Sequence, residues 1–85
     1  NHESPLQISL FPNPVQDELK LSFSAIPISG GRIELRDALG KLWKSLAIKE
    51  QYMQIDLSEL GNGIYIVTVI LNHQKLTKKI IKSKN

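Results

Sequence analysis

Apolar and polar residues alternate in short segments along most of this chain. In residues 18–24, apolar side chains alternate with polar ones, which is the two-residue period of a strand with one face in water. Residues 32–37 alternate in the same way. Residues 64–71 are largely apolar at both parities, which predicts a central strand covered on both faces. The pattern predicts about seven strands, over residues 8–11, 18–24, 32–37, 41–48, 52–57, 64–71 and 75–82.

Segments rich in proline, glycine and asparagine separate these strands. Pro12-Asn13-Pro14 removes two backbone donors and restricts the backbone, so it should stop the first strand and redirect the chain. Asp37 favours the start of a tight hairpin turn, which Gly40 can end with a positive φ. Further turns are predicted at Gly30-Gly31, Gly61-Asn62-Gly63 and Asn72-His73, and one helical turn, capped by Asp56 or Ser58, over residues 56–60.

This succession of short strands and turns predicts an all-β fold, specifically an immunoglobulin-like antiparallel β-sandwich of about seven strands. The chain has 85 residues, which is enough for one domain. We predict that residues 1–7 are the end of a linker and that residues 8–85 form the single sandwich domain. Because the chain has no cysteine, packing alone must stabilise this fold.

The charge of the chain is mild in total but uneven in distribution. The net charge is +3, and five lysines fall within the last eleven residues. Nucleic-acid binding usually needs a denser basic stripe, so we expect no nucleic-acid partner. No apolar run approaches the roughly 20 residues of a membrane-spanning helix, so we expect no transmembrane segment. The polar start without Met suggests a module excised from a longer protein, with any export signal upstream.

The sequence offers no constellation of residues with an evident chemistry. The two histidines, His2 and His73, have no second histidine at a metal-ligand spacing, and the carboxylates are scattered. Gly61-Asn62-Gly63 precedes a strand, which is the wrong context for a phosphate loop. We therefore predict no catalytic residue, no metal site and no cofactor, and we predict that the domain is not an enzyme.

Tyr65 has a specific structural interpretation. In immunoglobulin-like sandwiches, a tyrosine near the start of the sixth strand bonds through its hydroxyl to upstream backbone, an arrangement called the tyrosine corner. Tyr65 follows Gly63 at the corresponding place, and Gly63 is expected to allow a close backbone approach.

Two aromatic residues suggest an alternative function. If Trp43 and Tyr52 lie exposed on one face, they form a stacking platform, and the domain is a carbohydrate-binding or adhesive module of a secreted enzyme. The simpler interpretation is that both rings pack at strand edges. A third hypothesis is a structural spacer between domains.

The lysines of the last predicted strand, Lys75, Lys78, Lys79 and Lys82, allow two interpretations. Charges on an edge strand protect a sheet against aggregation. Alternatively, a partner recognises this terminal basic strand, for example by adding a strand to its edge. The residues alone leave both open.

The order of motifs resembles a known family. The chain contains Leu10-Phe11-Pro12-Asn13-Pro14, Asp37-Ala38-Leu39-Gly40-Lys41, residues 55–60 with Gly63-Ile64-Tyr65, and the basic strand of residues 75–82. Together they resemble the type A C-terminal sorting domain of the type IX (Por) secretion system, over residues 8–82. Each motif is weak alone, and the combination is what carries the resemblance.

The resemblance implies a sorting function. Such domains fold in the periplasm, an outer-membrane translocon recognises them and exports the upstream cargo to the cell surface or medium, and a sortase-like peptidase commonly removes them. Cleavage would fall at or before residues 1–7. The translocon would recognise Lys75, Lys78, Lys79 and Lys82, and the residues that build the presenting fold would be Pro12, Asn13, Pro14, Asp37, Gly40, Gly63 and Tyr65. The cargo and the oligomeric state stay open.

Overall fold

The computed structural model describes residues 7–12, 14–24, 30–71 and 74–84. These residues form seven strands and no helix. The strands are β1 (Ile8–Phe11), β2 (Glu18–Phe23), β3 (Gly31–Asp37), β4 (Leu42–Ile48), β5 (Tyr52–Asp56), β6 (Gly63–Leu71) and β7 (Gln74–Lys82). The predicted turn at Asn72-His73 and the predicted linker, apart from Gln7, lie outside the described residues.

The strands form two antiparallel sheets that pack face to face. One sheet has the order β1-β2-β5 and the other the order β4-β3-β6-β7. The predicted immunoglobulin-like sandwich is therefore confirmed. In the constant-type immunoglobulin order the fourth strand joins the sheet of the first, second and fifth strands, whereas here β4 pairs with β3.

The core lies between the sheets and follows from the alternation in the sequence. Leu19, Leu21 and Phe23 of β2 are buried, and so are Ile33 and Leu35 of β3. The polar residues between them point away from the core, as their parity predicts. Burial of these apolar side chains contributes most of the stability of a domain without disulfides.

The central strand β6 is covered fully on its inner face only. Val67 and Val69 face the core and are buried. On the outer face, Thr68 is buried but Ile64 is 45% exposed, so the predicted coverage of both faces is wrong. Among the described residues, no strand or helix covers this outer face of the sheet. On β3, Arg36 is paired with Ile66 and Glu34 with Thr68, so polar residues neighbour these positions on the outer face.

Gly30 and Gly31 lie where β3 begins, and they serve both the turn and the close pairing of β3 with β6. Gly30 has a φ of 54°, which suits the predicted turn. Gly31 belongs to β3 itself, and a Cβ atom there would lie 2.9 Å from the carbonyl oxygen of Ile70 and against the side chain of Leu71. Gly31 therefore permits β3 and β6 to pack closely at this end of the sheet.

Candidate functional site

The predicted recognition lysines all lie on β7, at the edge of the larger sheet. β7 pairs with β6 along its whole length, which confirms that the last strand is an edge strand. Lys75 and Lys79 point to the outer face of the sheet, and Lys78 has the inward parity of Leu76 and Ile80. All three of these lysines are exposed.

Lys82 differs from the other three lysines because it is buried. Only 3% of its surface is exposed, and its Nζ donates hydrogen bonds to the carbonyl oxygens of Leu57, at 2.6 Å, and Leu60. The expectation that Lys82 is an exposed charge on the edge is therefore wrong. Its parity places it on the core face with Ile80, and its length lets the ammonium reach two carbonyls at the rim of the core.

The turn that receives this ammonium follows β5. The carboxylate of Asp56 accepts a 2.9 Å hydrogen bond from the amide of Ser58, and the amide of Leu60 donates to the carbonyl of Leu57. This is a single turn and not a helix, so the predicted helical turn is corrected to an Asx-capped turn. The Ser58 amide holds the pKa of Asp56 below its usual value.

Residues 81–84 are fixed to the domain by several long-range contacts, which we call the C-terminal clamp. The amide of Lys84 donates to the side-chain oxygen of Asn62, and the Asn62 amide donates to the Lys84 carbonyl, both at 3.0 Å. The Nζ of Lys84 forms a 2.6 Å ion pair with Asp17. Together with Lys82, these contacts join the end of the chain to two separate loops, the connection between β5 and β6 and the segment before β2. Asn62 and Asp17 carry no sequence signal for these roles.

Val15 completes the clamp and shows how the prolines redirect the chain. β1 ends at Phe11, and after Pro12 and Pro14 the chain has moved to the other sheet, where Val15 bridges Lys82 in parallel. The amide of Val15 donates to the carbonyl of Ile81 at 2.8 Å, and its carbonyl accepts from the amide of Ser83 at 2.9 Å. The predicted redirection is confirmed. Asn13 lies outside the described residues.

These two bonds also define which backbone groups of β7 face away from β6. The carbonyl of Ile81 and the amide of Ser83 point to the free edge, toward Val15. Since the direction alternates with period two along a strand, the amides and carbonyls of Lys75, Thr77 and Lys79 point the same way. Among the described residues, no strand pairs with this part of the edge.

A groove runs between this open edge and β1, the edge strand of the smaller sheet. Ile8 and Leu10 line one wall, and Leu76, Lys78 and Ile80 line the other. Leu10 and Leu76 are only partly buried against the core, so the groove has an apolar floor with lysine at its rim.

Tyr65 forms the predicted tyrosine corner. Its hydroxyl donates a 2.7 Å hydrogen bond to the carbonyl of Gly61. The expectation that Gly63 permits a close approach is wrong, because a Cβ atom at Gly63 would meet nothing within 4 Å. Gly63 is needed for its backbone conformation instead, since its φ of 151° disfavours any side chain.

Asp37 organises the hairpin between β3 and β4. Its Oδ1 accepts 2.9 Å hydrogen bonds from the amides of Leu39 and Lys41, and its Oδ2 accepts from the indole of Trp43 at 3.1 Å. The Lys41 amide is the main cause that lowers the pKa of Asp37. Gly40 adopts a φ of 95°, so the predicted turn is confirmed.

The aromatic platform required by the carbohydrate-binding hypothesis does not form as expected. Trp43 lies on β4 and Tyr52 on β5, which belong to different sheets. The Trp43 ring is bonded to Asp37 and lies 4.3 Å beneath the Nζ of Lys41. Tyr52 pairs instead with Phe11, with ring centroids 6.1 Å apart.

The described residues contain neither a metal-binding cluster nor a membrane-spanning helix. In the described ranges, no three histidine, cysteine or acidic side chains are grouped so that they could hold a metal ion. The same residues contain no helix of the length and hydrophobicity needed to cross a membrane.

Fold and site together define a small β-sandwich module that presents a basic edge strand, anchored at its C-terminal end. Residues 9–83 match the family model of the secretion system C-terminal sorting domain. The chain belongs to this family, and it is a sorting signal of the type IX secretion system. Membership implies interaction with the type IX machinery and export to the cell surface or secretion. No curated protein matches the chain.

Proposed function

We propose that this domain directs an upstream cargo protein through the outer-membrane translocon of the type IX system, and that the translocon recognises the folded sandwich by its final strand. The domain folds in the periplasm and has no catalytic activity of its own. The observation that carries this proposal is the family match over residues 9–83, combined with an edge strand on which three of the four lysines are exposed.

The recognition surface consists of the exposed lysines of β7. On this strand, Lys75 and Lys79 point to the outer face of the sheet and Lys78 has the inward parity. A partner that approaches β7 from either face of the sheet therefore meets positive charge. Exposed charges accelerate encounter with an oppositely charged surface. Lys82 is not part of this surface, because its ammonium is buried on the carbonyls of the turn after β5.

The other residues of the sequence motifs build the fold that holds β7 in position. Pro12 and Pro14 direct the chain to Val15, which holds the end of β7. Tyr65 and Gly63 fix the start of β6, the strand that β7 pairs with. Asp37 and Gly40 shape the hairpin at the far side of the same sheet. We propose that these residues affect export through folding rather than through contact with the translocon.

Release of the cargo follows export in this proposal. A sortase-like peptidase cleaves at or before residues 1–7, ahead of the sandwich of residues 8–85. Support comes from the position of the first strand, which begins at Ile8, directly after the polar residues 1–7 of the sequence. N-terminal sequencing of the domain recovered after export tests this step, and a first residue well inside β1 would contradict it.

The recognition surface is tested with two matched sets of lysine variants, fused to a periplasm-targeted reporter. Lys75→Gln, Lys78→Gln and Lys79→Gln together remove three charges from β7. Lys41→Gln, Lys44→Gln and Lys49→Gln together remove the same charge from β4 and its flanks, at the opposite edge of the sheet. We expect the β7 set to lower surface reporter several-fold and the β4 set to leave it near the parent level. Equal effects of the two sets, or none from either, would remove β7 from recognition.

A further inference from the structure

We propose that the translocon-side partner binds by adding an extended strand to the open edge of β7, in the groove between β7 and β1, and that this strand carries acidic residues opposite the exposed lysines and apolar residues opposite Leu76 and Ile80. This inference rests on the proposed sorting function and deepens it. It specifies how the partner binds and which residue types the partner carries, and neither follows from the lysines of β7 alone.

The backbone of β7 offers the first reason. Lys75, Thr77 and Lys79 direct their amides and carbonyls away from β6, and no described strand satisfies them. Exposed edges of this kind are templates for strand addition. Further along the same edge, Val15 already bonds to the carbonyl of Ile81 and the amide of Ser83, so extended backbone can pair with this edge.

The groove supplies the second reason, because it distinguishes the two faces of an added strand. Side chains opposite Leu76 and Ile80 would point into the groove, where Ile8 and Leu10 form the other wall. Leu10 and Leu76 retain exposed apolar surface that such side chains would cover. Residues at these positions of the partner should therefore be apolar.

Charge determines the remaining positions of the partner strand. Residues directly opposite Lys75 and Lys79 would lie on the outer face, and the residue opposite Lys78 would lie at the groove rim. Cross-strand pairs of opposite charge stabilise a sheet, and like charges destabilise it. The same argument disfavours a second copy of this chain as the occupant, since pairing two β7 strands would bring their lysines together.

The direct test is residue-resolved amide hydrogen exchange of the 85-residue domain by NMR. Without ligand, the amides of Lys75, Thr77 and Lys79 should exchange much faster than those of Leu76, Lys78 and Ile80, which bond to β6. The probe is the synthetic peptide Glu-Leu-Thr-Glu-Glu-Leu together with its reversed sequence, which cover the two strand directions. We expect at least one of them to slow exchange of the three edge amides at least tenfold. The same peptide with lysine in place of glutamate should have no effect.

A backbone variant separates strand addition from simple charge attraction. Thr77→Pro removes one edge donor, and proline is tolerated where the amide faces solvent. Thr77→Ala is its control, because it removes the side chain and keeps the amide. We expect peptide binding at least tenfold weaker for Thr77→Pro and unchanged for Thr77→Ala. If Thr77→Pro does not fold, Lys75→Gln with Lys79→Gln provides the second variant, and binding equal to the parent overturns the proposal.

Other outcomes of the hydrogen-exchange experiment decide whether a partner strand, a second copy or neither occupies the edge of β7. Protection at residues outside β7, or no protection by either peptide, overturns the proposal. Edge amides that are already protected without peptide, in proportion to protein concentration, identify a second copy of the chain as the occupant.

Export assays distinguish a failure of the proposed sorting function from a failure of strand addition. A parent domain that is folded but not exported contradicts the proposed function. A folded Thr77→Pro domain exported as well as the parent contradicts strand addition alone.

Discussion

The Nζ of Lys82 lies 2.6 Å from the carbonyl oxygen of Leu57, which is 25 residues earlier in the chain. The same ammonium also binds the carbonyl of Leu60. One side chain at the end of the last strand thereby fixes the turn that follows β5, in the other sheet. The C-terminal clamp makes the end of β7 part of the structural core rather than a loose tail.

Replacement of Lys82 tests the clamp. Lys82→Met keeps the apolar stem but leaves the carbonyl oxygen of Leu60 without its donor, while the carbonyl of Leu57 keeps only the bond from the Leu60 amide. Since an unsatisfied buried acceptor costs about 1–3 kcal/mol, we expect the free energy of unfolding to fall by about 2 kcal/mol. Urea denaturation at pH 7 measures this change.

Lys79→Met is the matched control on the same strand, where the lysine is exposed. It should change stability by no more than about 0.5 kcal/mol. Equal stability of the two variants would show that the Lys82 ammonium does not hold the turn.

The tyrosine corner predicts a specific effect of a single oxygen atom. Tyr65→Phe removes the hydroxyl that binds the carbonyl of Gly61 at 2.7 Å and keeps the buried ring. We expect a loss of about 1 kcal/mol in thermal or urea unfolding. Tyr52→Phe is the comparison, because Tyr52 is 46% exposed and should tolerate the change. A Tyr65→Phe domain as stable as the parent would rule out a stabilising corner.

Two glycines two residues apart provide a test of backbone conformation. Gly63 has a φ of 151°, so Gly63→Ala should cost about 1–3 kcal/mol of strain. Gly61 has no such constraint, and a Cβ atom there would meet nothing within 4 Å. We expect Gly61→Ala to change stability by about 0.5 kcal/mol or less. Circular dichroism melts of both variants distinguish them, and similar melting temperatures would contradict the role given to Gly63.

Acid should destabilise the domain, partly through Asp37. The amides of Lys41 and Leu39 and the Trp43 indole lower the pKa of Asp37 below its ordinary value of 3.8. Because the folded state holds the proton more weakly than the unfolded state, this stabilisation is present above pH 3.8. It is lost as the pH falls through the lower, folded value. Glu34 and Asp56 have lowered pKa values and act in the same direction.

Asp37→Asn isolates this contribution. The amide group places a donor against the Trp43 indole, so the variant should be less stable than the parent at pH 7. Its stability should also fall less than that of the parent between pH 5 and pH 3. Urea midpoints at these pH values, followed by Trp43 fluorescence, measure both effects. An identical fall in parent and variant would show that Asp37 contributes nothing to the acid response.

Local patterns in the sequence were sufficient to predict much of the fold. Alternation placed the inward residues of β2 and β3 correctly, and Asp37, Gly40 and Tyr65 lie in the turn and corner that their chemistry predicts. These features depend on residues close together in the chain. In β4, apolar residues occur at both parities and so do not predict which face is buried, and a register shift opposite Leu35 and Arg36 interrupts the alternation.

The contacts that fix the end of the chain were not predictable in the same way. The pairing of Lys84 with Asp17 and of Asn62 with Lys84 joins residues far apart in sequence. One signal was present, since Lys82 shares the parity of Leu76 and Ile80 and therefore the core face. The four lysines of β7 therefore divide into three exposed side chains and one that is buried on the core face.

The most direct test of the central claim is export of a reporter by this domain. The 85 residues are fused to the C-terminus of a periplasm-targeted fluorescent protein and expressed in a host with a type IX system, beside a strain that lacks the translocon. We predict reporter at the cell surface or in the medium of the first strain, and only in the periplasm of the second. Reporter retained in the periplasm of both strains, with the domain folded, would contradict the sorting function.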